Sequence, residues 1–473
     1  MTDILINKYS LLPFRFSRIE NQEILVNEVG DFLITPNGTS QKIIERKIND
    51  EELYKDLIAN YFISEAPIPP LIDNLATRYR TKKAFLNNFT TLHIFVMTLR
   101  CNQNCTYCQA SARTSDHDSH DISYETLNYS INLMFLSPSP FLTMEFQGGE
   151  STLVYDKLKY AIEKVEALNE VKQRIITYVL CTNSVNLTNE LISLCKKYKV
   201  IISTSLDGPE FIHNHNRGSS ESYQKVIKGI NLARQELGHD KVSALMTTSH
   251  YSLKYPNEII DSYLENGFSN IFLRSLNPYG LAYKDEDWIV YFQSFFEFYK
   301  KSLDYIIEIN KTGIFFEESF TCLLLKKILT PFSIGFVDMQ SPAGIINSVI
   351  VYNYDGFVYA SDESRMLAEH GDYTFRLGSV KNSYKSIFYG ENTLKIAKTW
   401  SNESLAGCSD CAYQVYCGAD PVRNYTTQND MEGFRPSSLF CRKNKAIIEH
   451  IFSLLIFRSD EVLPIFQKWI NKT

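Results

Sequence analysis

Residues 99–111 read LRCNQNCTYCQAS and set Cys101, Cys105 and Cys108 on one short stretch. Thiolates spaced C-x3-C-x2-C can reach three corners of an iron–sulfur cube. A structural zinc site normally closes with four protein ligands. Only His117 and His120, in a polar run, stand near enough in sequence to supply a fourth. Three ligands leave one coordination position open, which is what separates a catalytic metal centre from a structural one. A second group, Cys408, Cys411, Cys417 and Cys441, offers four thiolates, enough to close a 4Fe-4S cluster. Structural zinc is the competing reading of that set. Cys181, Cys195 and Cys322 stand alone and read as bystanders, so the cysteines predict two metal sites.

The elements that must position these residues follow from periodicity. From about residue 90 the chain alternates strand-like and helix-like stretches. TLHIFVMT, FLTMEFQ, RIITYVLCT, VIISTSLD, VSALMTT and NIFLRSL are the six strand candidates. Six alternations imply right-handed parallel crossovers and a full or partial α/β barrel, whose chemistry gathers at the C-terminal strand ends. Cys101 follows the first strand. Gly148-Gly149-Glu150 closes the second, Cys181-Thr182-Asn183 the third, and Ser205-Leu206-Asp207-Gly208-Pro209 the fourth, with His213 and Arg217 just beyond. Glycines allow close backbone approach, a carboxylate suits an ammonium group, and an arginine fork matches a carboxylate. The plainer readings stay open: a turn at Gly148-Gly149-Glu150, a surface Arg217, a structural His213. His213 and His215 alone do not make a metal site.

Around this barrel, expected over residues 90–315, three further parts are predicted. Residues 1–80 form a small α+β module, with a strand-strand-helix-helix pattern over residues 21–65 and a three-proline link, EAPIPPLIDN, leading out of it. Residues 335–445 hold a β-hairpin around Tyr354-Asp355-Gly356 and the late cysteines in a loop-rich region. Residues 446–473 hold a final amphipathic helix, KAIIEHIFSLLIF, and a short tail.

The 473 residues suggest about two to four domains. A hydrophobic content of 44% and a charged content of 22% are those of a soluble globular protein. A formal net charge of −6 gives no general field for nucleic acid or anionic lipid. The N-terminus lacks a secretory pattern and no apolar run reaches the length of a membrane span, so a cytoplasmic protein is expected. Ten cysteines in such a chain point to metal or redox chemistry rather than disulfides.

CNQNCTYC resembles the C-x3-C-x-aromatic-C signature of radical S-adenosylmethionine (SAM) enzymes, with Tyr107 in the aromatic position. The resemblance implies a partial (β/α)6 TIM-like barrel. It implies a site-differentiated 4Fe-4S cluster held by Cys101, Cys105 and Cys108. SAM would chelate the open iron and be cleaved reductively to a 5′-deoxyadenosyl radical, which abstracts hydrogen from substrate. It also implies cofactor contacts at Tyr107, Gly148, Gly149, Glu150, Thr182, Asn183, Ser205 and Arg217. The late cysteines resemble the SPASM extension of peptide-modifying members and imply one auxiliary 4Fe-4S cluster on Cys408, Cys411, Cys417 and Cys441. A full SPASM domain carries a second auxiliary cluster, but at its cysteine positions this chain has Ser341 (or Ser348), Ser361 and Pro421. Two clusters per chain are therefore expected.

LLPFRFSRIENQEILVNEVGDFLI, together with VYNYDGFVYASDESRM, resembles the His-Xaa-Ser system radical SAM maturases. That likeness implies a peptide or small-protein substrate with His-Xaa-Ser repeats, crosslinked or otherwise oxidised, and a second radical SAM protein as partner. A reductase such as flavodoxin or ferredoxin would supply electrons. The N-terminal module resembles leader-peptide-binding domains, with a plain packing extension as the alternative. The alternatives in function are sulfatase-maturase-like oxidation of a single Ser or Cys, and a non-catalytic iron–sulfur protein.

Overall fold

The structure, a computed structural model, describes residues 8–113, 118–284 and 287–472. His117 lies outside the described residues. Near the N-terminus, Phe14–Ile19 (β1), Gln22–Asn27 (β2) and Phe32–Pro36 (β3) pair antiparallel in that order. Helices Thr39–Ile44 (α1), Glu51–Ala59 (α2) and Ile68–Lys82 (α3) follow. The predicted module thus gains a strand in front of its first. The predicted proline link is instead the start of α3. Its first turn needs no backbone N–H donors, so Pro69 and Pro70 are tolerated there. The module rests on the late-cysteine region. Tyr416 donates to Gly30 O (2.9 Å), Phe32 packs edge-on against Phe452, and Arg15 donates to Ser409 O.

Five strands of the predicted barrel run parallel as successive neighbours: Leu92–Thr98 (β4), Phe141–Gly148 (β5), Ile175–Thr182 (β6), Ile201–Ser205 (β7) and Val242–Leu245 (β8). The helices between them are Tyr124–Met134 (α4), Tyr155–Lys172 (α5), Asn189–Tyr198 (α6), Glu210–Arg217 (α7) and Ser222–Leu237 (α8). Ser123 caps α4 and Thr188 caps α6, each accepting from a first-turn N–H. Register places Ile94 beside Glu145, Glu145 beside Val179, and Cys181 beside Ser203. Because side chains alternate along strands, Ile94, Glu145, Gln147, Val179, Cys181, Ser203 and Ser205 share the inner face.

The sixth strand differs from expectation. Only Asn270–Ile271 (β9) is extended, and it pairs with Glu317–Glu318 (β10) rather than with β8. Side chains take up the backbone N–H groups that a ladder would need. Leu273 N donates to Glu318 Oε1 (3.1 Å) and Leu276 N to the Tyr291 hydroxyl (2.8 Å). The place beside β4 is filled instead by Val349–Tyr352 (β11), the first strand of the predicted hairpin, which pairs with β4 in parallel. Phe357–Tyr359 (β12) and Arg376–Ser379 (β13) continue antiparallel to complete an eight-stranded sheet. Fully buried His93 ties the two parts, contacting the Tyr352 hydroxyl (3.0 Å) and Thr90 O (3.1 Å).

Helices Asp362–Ala368 (α9), Pro421–Gln428 (α10) and Leu439–Phe457 (α11) surround the late cysteines. The predicted tail is a further helix, Ser459–Asn471 (α12), anchored by fully buried Trp469. Among the described residues no helix is long and apolar enough to cross a membrane.

Candidate active site

At the end of β4 the chain enters the three-cysteine loop, whose backbone is fixed from three sides. Cys101 N donates to Arg113 O (3.0 Å), Thr106 N to Asn216 O (2.9 Å) and Leu281 N to Cys108 O (2.8 Å). Three glycines let neighbouring backbone come this close. A Cβ on Gly149 would lie 2.2 Å from Arg100 O, one on Gly218 2.5 Å from Asn104 O, and one on Gly280 2.3 Å from Cys108 O. Each loop carbonyl is thus met by a residue with no side chain.

Cys101, Cys105 and Cys108 are half-buried and line a cavity of about 660 Å³ inside the partial barrel. That size is within the range of small-molecule sites. Burial pushes the Cys101 thiol up to about 12 and raises that of Cys105. Buried thiols of this kind stay protonated until a cationic centre deprotonates them. The donor set, three thiols on one loop facing a ligand-sized cavity, fits an iron–sulfur cluster with one open position. His120 does not join them; its ring packs against Tyr354.

Gly148, Gly149, Thr182, Asn183, Ser205 and Arg217 all line this cavity. Several side chains, however, have other work. Glu150 is 1% exposed, and its carboxylate accepts from Thr182 Oγ1 (2.7 Å) and Asn183 N (2.7 Å). It joins the ends of β5 and β6. Asn183 Nδ2 donates to Asn102 Oδ1 (2.6 Å), tying β6 to the cysteine loop. Arg217, which lines the cavity, is also engaged within the protein. It is buried and forks onto Asp207, Nε to Oδ2 (2.9 Å) and Nη2 to Oδ1 (2.8 Å). Its Nη1 lies 3.8 Å from Cys105 Sγ. Tyr107 donates to the same carboxylate (2.7 Å) with Arg217 over its ring. Tyr107, Asp207 and Arg217 therefore brace the cysteine loop. His213 is structural, as its plainer reading had it, accepting from Asp207 N (3.3 Å) and contacting Ser222 Oγ (2.9 Å).

Cys181 is no bystander. It lines the cavity and its thiol donates to Glu145 Oε1 (3.5 Å), while Cys195 and Cys322 are buried elsewhere. Strand alternation was the available signal, since Cys181 shares the parity of Val179. Glu145, whose carboxyl burial raises, was missed because it sits inside an otherwise apolar strand. A second group that sequence did not reveal lines the wall nearest the C-terminal part: Asp338, Asp362, Glu363, Asp420, Arg423 and Lys443. Burial, then neighbouring carboxylates, pushes Glu363 up to about 7.

The late cysteines converge. Cys408, Cys411 and Cys417 lie on one loop, and Cys441 sits in the first turn of α11, capped by Ser438. Burial raises all four thiols, and each is raised further by others of the set. Among the described residues no three His, Cys, Asp or Glu side chains close on a single metal ion. The serines and proline at the other SPASM positions have ordinary duties. Ser341 donates to Glu403 (2.6 Å), Ser348 to Gln340 (2.7 Å), Ser361 caps α9, and Pro421 opens α10.

Residues 95–263 match the model of the Radical SAM superfamily. A cysteine-type anaerobic sulfatase-maturating enzyme of Clostridium perfringens is 22% identical over 373 residues, 75% of this chain and 94% of that relative. The solved structure of native anSMEcpe with bound AdoMet superposes with a TM-score of 0.64 at 20% identity, covering 79% of this chain and 100% of that one. Streptococcus suis SuiB bound to precursor peptide SuiA gives 0.53 at 13% identity, covering 92% and 100%. At these identities the two structures establish the fold.

Proposed function

We propose that this chain, whose residues 95–263 match the radical SAM superfamily model, is a radical SAM enzyme that modifies a ribosomally made peptide or small protein by abstracting hydrogen from one of its residues. The observation that carries the reading is the meeting, in one cavity, of three half-buried thiols with Gly148-Gly149, Thr182-Asn183 and Ser205 from successive strand ends. Cys101, Cys105 and Cys108 would hold the 4Fe-4S cluster, which supplies the electron for reductive cleavage of SAM. The chain's own residues do the rest. Tyr107, Asp207 and Arg217 hold the loop, and the glycines bring strand ends against it.

Cys408, Cys411, Cys417 and Cys441 would hold one auxiliary 4Fe-4S cluster. Four thiols, three on one loop and one on the helix beside it, are the number that closes such a cube. SuiB, of like fold, was solved with a precursor peptide, which supports a peptide substrate. The narrower assignment, a substrate with His-Xaa-Ser repeats and a second radical SAM protein as partner, rests on the N-terminal and hairpin sequences. The 373-residue likeness to a sulfatase-maturating enzyme favours a second reading, oxidation of one Ser or Cys in a target protein.

The test is anaerobic reconstitution, reduction by dithionite or flavodoxin, and quantification of 5′-deoxyadenosine with mass analysis of a co-expressed small peptide. A loss of two hydrogens with 5′-deoxyadenosine release is expected. A cluster-replete sample that releases none would return the protein to the non-catalytic class.

A further inference from the structure

Arg423 lies in α10, six residues after the last loop cysteine, Cys417. It is 6% exposed and lines the cavity. Its Nη2 donates to Asn277 Oδ1 (2.5 Å), but Nε and Nη1 donate to nothing, although Asp420 Oδ2 stands 3.4 Å from Nε. The Phe440 ring covers another side of the guanidinium, 5.7 Å from its carbon. Lys443, on the same wall, reaches only Ser275 Oγ at 3.5 Å, and Arg274 lines the cavity beside it. A buried guanidinium with idle donors is costly unless a ligand completes it. Its planar fork selects a carboxylate.

The place is informative. Asn277, which holds Arg423, also accepts through its backbone oxygen from Gln109 Nε2 (3.0 Å), next to Cys108. Gly280, three residues on, lies against Cys108 itself. Arg423 is therefore tied to the cysteine loop through one short segment and faces the same cavity. Asp420 pairs with its Nε (3.4 Å) but leaves Nη1 without a partner. Asp362 is engaged by Arg365 (3.0 Å), and Asp420 accepts from the Arg423 backbone N–H (2.9 Å).

We propose that Arg423, with Lys443 and Arg274 beside it, forms a subsite that receives a carboxylate of the substrate peptide and so sets which residue lies against the radical source. This rests on the peptide-modifying reading. It adds that the substrate carries an acidic side chain or terminal carboxylate near the modified residue.

The experiment uses reconstituted, SAM-loaded protein and two probes, N-acetyl-L-glutamate α-N-methylamide, whose one carboxylate is its side chain, and its neutral isostere N-acetyl-L-glutamine α-N-methylamide, titrated by calorimetry. The acid should bind about tenfold tighter than the amide, as expected for one charge-assisted hydrogen-bond set. Arg423→Gln should abolish that preference. Equal binding of the two probes, or an undiminished preference in Arg423→Gln, overturns the proposal. So does binding of the acid only when SAM is absent, since the wall would then belong to the cofactor. If Arg423→Gln loses its iron, Lys443→Met carries the same comparison, and an unchanged preference there overturns the proposal too. Wild-type 5′-deoxyadenosine release is measured in parallel. A preparation that discriminates the probes yet releases none sinks the catalytic reading and leaves the subsite standing.

Discussion

Replacing Asp207 by Asn tests the brace beneath the cysteine loop. One carboxylate accepts from Arg217 twice (2.9 and 2.8 Å), from the Tyr107 hydroxyl (2.7 Å) and from Thr247 N (3.1 Å), with no exposure to water. Burial opposes its charge, but Arg217 more than compensates and holds its carboxyl below the usual range. Asn preserves the shape but offers one acceptor and turns a donor toward the donors of Arg217 or Tyr107. Removing one partner of a buried pair costs about 3–5 kcal/mol. Asn keeps part of the hydrogen bonding, so about 3 kcal/mol is expected, roughly a hundredfold in the folding equilibrium. Because Arg217 and Tyr107 both hold the loop, the loss should appear as lower iron per chain after reconstitution and as an earlier urea transition of the apoprotein. Arg217→Met should match it, and Asp207→Leu/Arg217→Met should cost less than the two single changes added together, by about 2 kcal/mol or more. Were Arg217 instead a direct receptor for the SAM carboxylate, Arg217→Met would raise the KM for SAM at full iron content and Asp207→Asn would do little. That outcome would refute the brace.

The other expectations are of three kinds. Gly149→Ala and Gly280→Ala place a methyl 2.2–2.3 Å from loop carbonyls; both should incorporate markedly less iron at the first site, and normal incorporation would show that the loop yields. Cys417→Ala should lower iron from about eight to about four per chain, given four per cube, while 5′-deoxyadenosine release persists; about twelve in the wild type would refute the two-cluster count. His93 concerns pH. Burial pulls it down to about 3, against an ordinary value near 6.5, so only the unfolded chain takes up its proton between those values. Stability is full above about pH 6.5 and falls by about 1.4 kcal/mol per pH unit below it. His213, pulled by burial to about 4, adds to the slope. A His93→Gln apoprotein should show a shallower acid-denaturation slope, and an unchanged slope would refute the assignment.

The strand-end motifs were legible because each follows an apolar strand, and strand direction alone puts such residues on one rim. Their inward or outward direction was not legible. Glu150 and Arg217 carry charges that suit a cofactor, and both also bond within the fold, Glu150 to Thr182 and Asn183 at the end of the next strand and Arg217 to Asp207 on its own segment. NIFLRSL has the composition of a strand and fails as one because Glu318 and Tyr291 satisfy its backbone from elsewhere. The proline-rich run reads as a link because proline ends helices, and here it begins one. Arg423 had no local signal: that its Nη1 is left without a partner in the cavity is a property of the fold, not of PVRNYTTQ.

The pairing of Val349–Tyr352 with Leu92–Thr98 bears on how such a chain can be taken apart or recombined. The strand that leads into the cysteine loop has its second edge covered by a segment some 250 residues downstream. A fragment ending before residue 340 would bare an apolar edge, LHIFVMT, of the kind that recruits other chains. The C-terminal part is then no detachable accessory. Any transplant of it between relatives must carry a strand matched in register to its new neighbour, or lose the loop that the neighbour supports.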